Sequence, residues 1–327
     1  MNIIIFGAEK YEREIIKKAF ECSEIDIIHF EEGILSLNNI DVVKGFQIVW
    51  IITNSIIGEM EAEKLEQYGV KYIVTKSAGV DHLDKEALRK HNILAANVPE
   101  YSPEAISEHT ILLLLAAVRK LKRSIMMAEN DDFTLSGLLG KEIADMTIGV
   151  IGYGNIGKKT VEILKAFGAN ILVNTPHEKK FKSQQVKYAT ISELYKFSDA
   201  IILHCPVNKQ NYHMINRRTI SQMKDKVIII NTARGSLIDH TDLLECLKDG
   251  KIGAAALDVY EYEDKFVRTK NSFYKDDVFW KIIKMDNVIY TSHIAFYTKE
   301  AIEALRNITI KNVLEYAKTG KCINEIT

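Results

Sequence analysis

Short apolar runs alternate with longer amphipathic segments along nearly the whole chain. In the first hundred residues the apolar runs are 3–6, 25–30, 48–52, 72–74 and 93–98, and polar segments with helical periodicity lie between them, such as 59–68 and 84–91. Continuous short apolar runs separated by helices are typical of parallel strands that are covered on both faces. This part of the chain therefore predicts a parallel α/β sheet.

The second part of the chain repeats the alternation after a long helix, predicted over 103–124 with Pro103 in its first turn. Strands are predicted near 147–151, 170–174, 200–204, 227–231, 253–257 and 287–291, with helices over 157–167 and 241–249, the latter with Thr241 as N-cap. A last helix over 298–317 has no strand after it, and we expect it to fold back on the first half. The fold class predicted is α/β, with two doubly wound parallel-sheet (Rossmann/flavodoxin-like) domains and a cleft between them.

Composition narrows the class of protein. A chain of 327 residues predicts two domains, and 47% hydrophobic with 27% charged residues is typical of a globular protein. A formal net charge of -1 gives no general attraction for nucleic acid or an anionic membrane, so a bound anion must be held by local groups. The apolar run 111–118 is too short to span a bilayer. Four scattered cysteines without metal-ligand spacing predict a reduced, cytoplasmic chain and no metal site.

A glycine-rich turn follows one of the predicted strands. Gly152, Gly154 and Gly157 fit the pattern G-x-G-x-x-G between a strand and a helix, which is the context that binding of a dinucleotide requires. The first glycine permits the tight turn, the second admits the pyrophosphate, and the third lets the helix pack on the strand. The helix N-terminus adds partial positive charge. We therefore predict a dinucleotide cofactor.

The acidic residue that binds the adenosine ribose is not where it is expected, about 20 residues further on. The tip of the next predicted strand offers Asn174 and Thr175, and Glu178 comes three residues later. Three further polar side chains lie close to it in the sequence: His177, Lys179 and Lys180. Without a carboxylate there, nothing repels a 2′-phosphate, although Thr175 can hold a ribose and the lysines are equally typical of a solvated loop. NAD and NADP both stay open.

Three polar side chains follow predicted strands in the second part of the chain. Arg234 ends one strand, Glu263 lies beyond the next, after Asp258, and His293 follows the third. Parallel strands bring their carboxyl ends to one edge of a sheet, together with the glycine turn. Each of these residues alone has an ordinary structural explanation, but the set at equivalent strand ends favours a catalytic site.

This combination suits hydride transfer between a nicotinamide and a 2-keto acid. Reduction leaves negative charge on the carbonyl oxygen, and a proton donor must lie within hydrogen-bond reach of it. A histidine beside a carboxylate suits that task. The planar fork of an arginine can bind the substrate carboxylate and polarise the carbonyl.

Seven sequence blocks resemble those of a known family, in the same order. They are KSAGVDHLD (76–84), NVPEYSPEAISEH (97–109), VIGYGNIG (150–157), HCP (204–206), NTARG (231–235), ALDVYEYE (256–263) and SHIAFYT (292–298). The chain resembles the D-2-hydroxyacid dehydrogenases, and within them the D-lactate dehydrogenase branch, because 294–298 is not glycine-rich. One departure is Ser292, where relatives commonly have proline, so the peptide there is expected to be trans.

The resemblance implies a role for each matching residue. Arg234 is expected to bind and polarise the keto acid, His293 to be the acid/base with Glu263 as its partner, and Asp258 to support them and the cofactor. The expected substrate-binding residues are Ala78, Gly79, Tyr101 and Phe296. The expected cofactor-binding residues are Gly152, Gly154, Asn155, Ile156, Gly157, Thr175, Pro176, Cys205, Pro206, Thr232, Ala233 and Asp258.

The resemblance also implies the organisation and activity of the whole chain. The expected domains are 1–100 plus 297–327 for the substrate and 101–296 for the dinucleotide, in a homodimer. Net charge and cysteine usage add the expectation of a cytoplasmic protein that binds no nucleic acid or membrane. The expected function is NAD(P)-dependent D-lactate dehydrogenase, which reduces pyruvate. Two alternatives remain: a reductase of a bulkier keto acid such as phenylpyruvate or 2-ketoisocaproate, and a non-catalytic NAD-sensing binding protein of the same fold.

Overall fold

The computed structural model describes residues 1–176, 181, 184–267 and 276–327. The chain divides into two compact units: unit 1 is Met1–Ser102 with Thr298–Thr327, and unit 2 is Pro103–Tyr297. No helix in the described part of the chain is both long enough and apolar enough to cross a membrane.

Strands and helices alternate along both units. The strands are β1 Asn2–Phe6, β2 Ile27–Glu31, β3 Ile48–Ile51, β4 Tyr72–Thr75, β5 Leu94–Ala96, β6 Thr147–Ile151, β7 Asn170–Asn174, β8 Val186–Tyr188, β9 Ala200–Leu203, β10 Val227–Asn231, β11 Ile252–Leu257 and β12 Val288–Tyr290. The helices are α1 Lys10–Phe20, α2 Glu59–Gln67, α3 Lys85–Lys90, α4 Pro103–Val118, α5 Leu121–Glu129, α6 Asn155–Ala166, α7 Ile191–Phe197, α8 Arg217–Ile220, α9 His240–Lys248, α10 Asp277–Ile283 and α11 Lys299–Thr319.

Unit 1 contains a parallel sheet in the order β2-β1-β3-β4-β5. Its central strands are runs of buried, mostly β-branched residues, which suit a strand covered on both faces. One face packs against α2 and α3, and the other packs against α1 and α11. On the α11 side the rings of Tyr72 and Tyr316 stack with their centroids 4.0 Å apart. The terminal helix is therefore part of unit 1.

Unit 2 contains a second parallel sheet, in the order β12-β11-β10-β9-β6-β7-β8. Separate apolar clusters cover its two faces, one including α9 and the other including α4 and α6. Its strand order reverses between β6 and β9, which is where ligands bind in doubly wound sheets. The prediction of two doubly wound parallel sheets is confirmed.

Three details of the sequence-based elements are wrong. The helix predicted over 103–124 is interrupted, because Lys120 adopts a left-handed conformation with φ of 52° between α4 and α5. The short strand β8 is absent from the prediction, since only Val186 of its three residues is fully buried. The N-cap of α9 is Asp239, not Thr241, because the Asp239 carboxylate accepts the amides of Thr241 and Asp242.

The register of the second sheet aligns the carboxyl ends of its strands. Paired end residues are Asn174 with Ile151, Ile151 with Leu203, Leu203 with Asn231, Asn231 with Leu257, and Leu257 with Tyr290. The residues that come next along the chain therefore emerge along one edge of the sheet. This edge carries the glycine turn and the segments of Arg234, Glu263 and His293.

Candidate active site

The glycine turn between β6 and α6 requires glycine at two of its three positions. Gly152 has φ of +103°, and a Cβ there would lie 2.4 Å from the carbonyl oxygen of His204. A Cβ on Gly157 would lie 2.2 Å from the carbonyl oxygen of Gly152. These close approaches let α6 pack directly against the turn and the end of β9.

Gly154 differs from its two neighbours in the turn. It is the exposed N-cap of α6, and a Cβ built on it meets no atom within 4 Å. The first intrahelical bond runs from the amide of Lys158 to the carbonyl of Gly154, so the amides of 155–157 precede it. Open space over a glycine, beside free amides at a helix N-terminus, fits the pyrophosphate of a dinucleotide.

Residues 204–206, which follow β9, pack against the glycine turn and α6. The Nε2 atom of His204 lies 2.8 Å from the Thr160 hydroxyl on α6, and removal from water lowers the pKa of His204 to about 4. Burial raises the pKa of the Cys205 thiol to about 11, so it stays protonated at neutral pH. Pro206 is exposed. His204 is therefore a neutral structural residue, which the sequence did not single out.

The expected ribose site follows β7. Asn174 is committed to the fold, because its side-chain amide donates to the carbonyl of Ala189 at 2.9 Å and its own carbonyl accepts the Gly152 amide. Thr175 is half-buried and Pro176 is exposed. Residues 177–180, which include His177, Glu178 and the two lysines, lie outside the described residues. The choice between NAD and NADP is therefore not decided by this segment.

The turn after β10 is built by Asn231. This fully buried side chain accepts the amide of Ala233 at 3.0 Å and donates to the carbonyl of Arg234 at 2.8 Å. Thr232 bonds through its hydroxyl to Thr110 of α4, at 2.8 Å. Arg234 is half-buried in extended backbone, and its Nη1 donates to the carbonyl of Ala233 at 2.8 Å. An asparagine that closes a turn onto its own backbone is a signal that sequence can provide, and it was missed.

The turns after β10 and β11 touch through their backbones. A Cβ on Gly235 would lie 2.1 Å from the carbonyl carbon of Tyr260 and 2.2 Å from the amide nitrogen of Glu261. Only glycine permits this crossing. Arg234 and Glu263, which lie just before and just after the crossing, are thereby held in a fixed relation.

Glu263 and His293 are in direct contact. The Oε1 atom of Glu263 lies 2.6 Å from Nδ1 of His293, and Oε2 accepts the amide of Tyr260 at 2.8 Å. Because a carboxylate only accepts, Nδ1 carries the proton of this bond. The other ring nitrogen, Nε2, makes no hydrogen bond to any described residue, and the His293 side chain is 35% exposed. The structure thus leaves Nε2 available for proton transfer.

Asp258 holds the backbone that carries His293. Its carboxylate is buried and accepts the amides of Ile294 and Ala295, both at 2.9 Å. Its carbonyl accepts the His293 amide at 2.8 Å. His293 itself has φ of 53°, an uncommon conformation that persists only where the surroundings fix it. All described peptide bonds are trans, including the one between Thr291 and Ser292.

A family model described as "D-isomer specific 2-hydroxyacid dehydrogenase, NAD binding domain" matches residues 111–295. The chain belongs to this family. It is 39% identical to an aromatic 2-oxoacid reductase of Clostridium sporogenes over 287 residues, which is 87% of each protein. It is 34% identical to the D-lactate dehydrogenase of Escherichia coli over 329 residues, 100% of each. The crystal structure of a D-lactate dehydrogenase from Treponema pallidum superposes with a TM-score of 0.86 at 31% identity, covering both chains completely.

The resemblance predicted from the seven sequence blocks is confirmed: the chain is a D-2-hydroxyacid dehydrogenase of the D-lactate dehydrogenase branch. The family's NAD-binding domain corresponds to the part of unit 2 that carries the glycine turn, Arg234, Glu263 and His293. The open space at the glycine turn and the matched NAD-binding domain both indicate a nicotinamide dinucleotide cofactor.

The remaining predicted residues of this dehydrogenase lie in two places. In unit 1, the carbonyls of Ala78 and Gly79 accept hydrogen bonds from Asn97 and Ser77, both at 2.8 Å, which fixes the loop after β4. Tyr101 is half-buried in the same unit. In unit 2, the ring of Phe296 lies 6.0 Å from that of His293 and perpendicular to it. Phe296 is therefore a neighbour of the proposed acid/base.

Proposed function

We propose that this dehydrogenase is an NAD-dependent D-lactate dehydrogenase that reduces pyruvate to D-lactate. The observation that carries the proposal is the 2.6 Å bond between Glu263 and His293 on the strand edge that also holds Arg234 and the glycine turn. Relatives described as D-lactate dehydrogenases match along the whole chain, which supports pyruvate as the substrate.

The cofactor is proposed to lie along the carboxyl edge of the second sheet. The amides of 155–157 would hold the pyrophosphate, and Thr175 and Pro176 would contact the ribose. The segments 205–206 and 232–233 would contact the remainder of the dinucleotide. Asp258 would support this arrangement through the backbone it fixes. When bound, the nicotinamide supplies the hydride that reduces the carbonyl carbon.

The protein's own residues stabilise the charge that develops on the carbonyl oxygen and transfer the proton to it. Arg234 binds the substrate carboxylate through its planar fork and polarises the carbonyl oxygen. His293 donates the proton on Nε2 to the oxygen as negative charge develops there. Glu263 accepts the Nδ1 proton throughout, which orients the ring so that Nε2 faces away from the carboxylate. In the reverse reaction His293 accepts the proton from the hydroxyl.

The substrate-binding residues named from the resemblance keep their roles in this proposal. The amides of Ala78 and Gly79 would bind the carboxylate, and Tyr101 and Phe296 would line the side-chain pocket. A second candidate function is reduction of a bulkier, aromatic 2-keto acid. The observation that favours it is the 39% identity to an aromatic 2-oxoacid reductase.

A panel of keto acids tests the proposal. Pyruvate, 2-ketobutyrate, 2-ketoisocaproate and phenylpyruvate are assayed with NADH and with NADPH, and the highest kcat/KM is expected for pyruvate with NADH. Preference for phenylpyruvate would support the second candidate. Absence of turnover with every keto acid, together with retained NADH binding, would favour the NAD-sensing binding protein instead.

Two substitutions test the assigned roles. His293→Ala is expected to lower kcat by about 10²–10⁴-fold, the usual contribution of a general acid/base, whereas the exposed His29→Ala changes nothing. Arg234→Lys is expected to raise KM for the keto acid, because an ammonium cannot bind a carboxylate in the same two-pronged way. Full activity of His293→Ala would contradict the assignment of His293 as the acid/base.

A third substitution tests the cofactor site. Gly154→Ala adds a methyl group that meets no described atom, so the melting temperature without cofactor should fall only slightly, by the cost of a poorer N-cap. The same methyl group occupies the space assigned to the pyrophosphate, and NADH is expected to bind at least tenfold more weakly, a loss of about 1.4 kcal/mol. Unchanged NADH affinity would place the pyrophosphate elsewhere.

A cytoplasmic homodimer is also part of the proposal. All four cysteines are free, which supports a reducing compartment. Large apolar side chains are exposed on α4, α5 and the segment after them: Leu112, Leu121, Ile125, Phe133, Leu135 and Leu139. Large apolar side chains exposed in one stretch of the chain support an interaction surface there. Light scattering is expected to give twice the mass of one chain, and a monomer at micromolar concentration would contradict the dimer.

A further inference from the structure

Two adjacent residues of α4 reach two different strand ends of unit 2. The hydroxyl of Thr110 donates to the carbonyl of Ile106 and lies 2.8 Å from the hydroxyl of Thr232, after β10. The Nε2 atom of His109 lies 3.0 Å from the hydroxyl of Thr291, after β12, and 3.5 Å from Oδ1 of Asp258. The helix thus supports the two segments separately, and none of the roles given above uses His109.

The direction of the hydrogen bonds at His109 follows from the chemistry of the groups. The Asp258 carboxylate only accepts, so the Thr291 hydroxyl, 2.5 Å away, donates to it. That leaves the Thr291 oxygen to accept, and His109 therefore donates its Nε2 proton to Thr291. The three side chains form a chain of donors that ends on a buried carboxylate.

The carboxylate at the end of this chain sets the position of His293. Asp258 accepts the amides of Ile294 and Ala295 with its side chain and the amide of His293 with its carbonyl. It thereby fixes the uncommon backbone conformation of His293, with φ of 53°. Within the described residues, His109 makes no hydrogen bond or ion pair with Glu263, His293 or the glycine turn. Its effect on the site must pass through Thr291 and Asp258.

We propose that His109 is a positioning residue of the dehydrogenase reaction. Its donated hydrogen bond fixes Thr291 and, through it, the orientation of the Asp258 carboxylate that holds the His293 segment. The inference rests on the proposed function, because it assigns a purpose to the placement of His293. His109 would thus support the proton-transfer step from α4. Its neighbour Thr110 holds Thr232, which belongs to the proposed cofactor site.

The experiment compares three variants of the full chain. His109→Leu removes the donor, His109→Gln keeps an Nε2 donor at a similar reach, and Glu108→Gln changes an exposed neighbour on the same helix. His109→Leu is expected to lower kcat about tenfold, the effect of one lost hydrogen bond to a charged network, with KM for NADH unchanged. His109→Gln should recover to within about twofold, and Glu108→Gln should match the wild type.

Hydrogen exchange of the protein without cofactor provides a second measurement. The amides of Ile294 and Ala295 are expected to exchange about tenfold faster in His109→Leu, and at the wild-type rate in His109→Gln. If His109→Leu does not fold, Thr291→Val and Thr291→Ser make the same comparison one step along the chain. Valine should reproduce the loss, and serine should keep the activity.

The outcomes separate the inference from the proposed function. If the wild type reduces no keto acid, the proposed function fails, and the exchange rates still report whether His109 fixes the segment. If the wild type is active and His109→Leu keeps its kcat and its exchange rates, the positioning role is wrong. A loss that glutamine does not recover would also overturn it, because the donor would not be the feature that matters.

Discussion

Acid should weaken unit 2 through a buried imidazole that has no partner. His240, the first residue of α9, is 5% exposed, and neither of its ring nitrogens bonds to a described residue. Its ring lies 4.2 Å from that of Tyr260. Burial lowers the pKa of His240 from 6.5 to about 4. The folded chain therefore holds this residue neutral where the unfolded chain binds a proton.

The sign and size of the effect follow from this difference. Between pH 6.5 and pH 4 the unfolded chain binds more protons than the folded chain, so stability falls as the pH falls through this range. The full difference corresponds to roughly 3 kcal/mol. The pKa of His204 is also lowered to about 4, and it adds a loss of the same sign. Above pH 6.5 neither residue contributes a pH dependence.

The substitution His240→Phe removes the titrating group and keeps a ring beside Tyr260. At pH 7 the variant is expected to be as stable as the wild type or about 1 kcal/mol more stable, because two buried unpaired nitrogens are gone. Between pH 7 and pH 4.5 it should lose roughly 2–3 kcal/mol less than the wild type. His204 continues to titrate in both proteins, so part of the acid loss should remain.

The assay is guanidinium unfolding at pH 7, 5.5 and 4.5, followed in unit 2. The chain has two tryptophans, Trp50 in the core of unit 1 and the partly exposed Trp280 of α10 in unit 2. In a Trp50→Phe background the fluorescence reports on unit 2, and hydrogen exchange of α9 gives an independent measure. Parallel stability curves for the two proteins from pH 7 to 4.5 would refute the buried neutral imidazole.

Three further perturbations have defined outcomes. Gly235→Ala forces the backbone away from Tyr260 and should cost about 3 kcal/mol or more, visible as a lowered melting temperature; a normal melting curve would contradict the crossing. Lys76→Met leaves the buried Glu12 without the ammonium that donates to both its oxygens at 2.8 Å, and should cost about 3–5 kcal/mol in thermal unfolding of unit 1; replacement of both residues by apolar ones should recover most of it. His91, whose pKa two carboxylates of α2 raise, has the opposite sign to His240: its stabilisation is present below pH 6.5 and is lost as the pH rises, so His91→Gln should weaken unit 1 mainly in acid.

Much of the fold was predictable because the strands are unusually explicit in this sequence. Runs such as 3–6 and 227–231 are continuous and almost wholly β-branched, and the structure places them as internal strands of the two sheets. The strand β8 gave no such signal, since it has three residues and lies at the sheet edge. The break at Lys120 also gave none, because the residue's partner, the carbonyl of Gly137, is distant in sequence.

The part of the candidate site that depends only on the positions of strand ends was predictable. Arg234, Glu263 and His293 were placed on one edge because parallel strands in register bring their ends together, and the structure does so. The residues that hold them were not predictable in the same way. Gly235 depends on a backbone crossing, and His109 bonds to a residue from the far end of unit 2. Such partners are chosen by tertiary packing, which a periodicity of two or 3.6 residues does not encode.

The crossing at Gly235 has a consequence for how substrate preference can change. No side chain separates the turns after β10 and β11 where they meet at Gly235. The distance between Arg234 and Glu263 is therefore fixed by backbone contact. Mutation cannot widen it by small steps, because the smallest possible increment, one methyl group, already collides with backbone. Under the proposed function, diversification toward larger keto acids is therefore confined to positions outside this crossing, where a side chain can shrink or grow without moving Arg234 relative to Glu263.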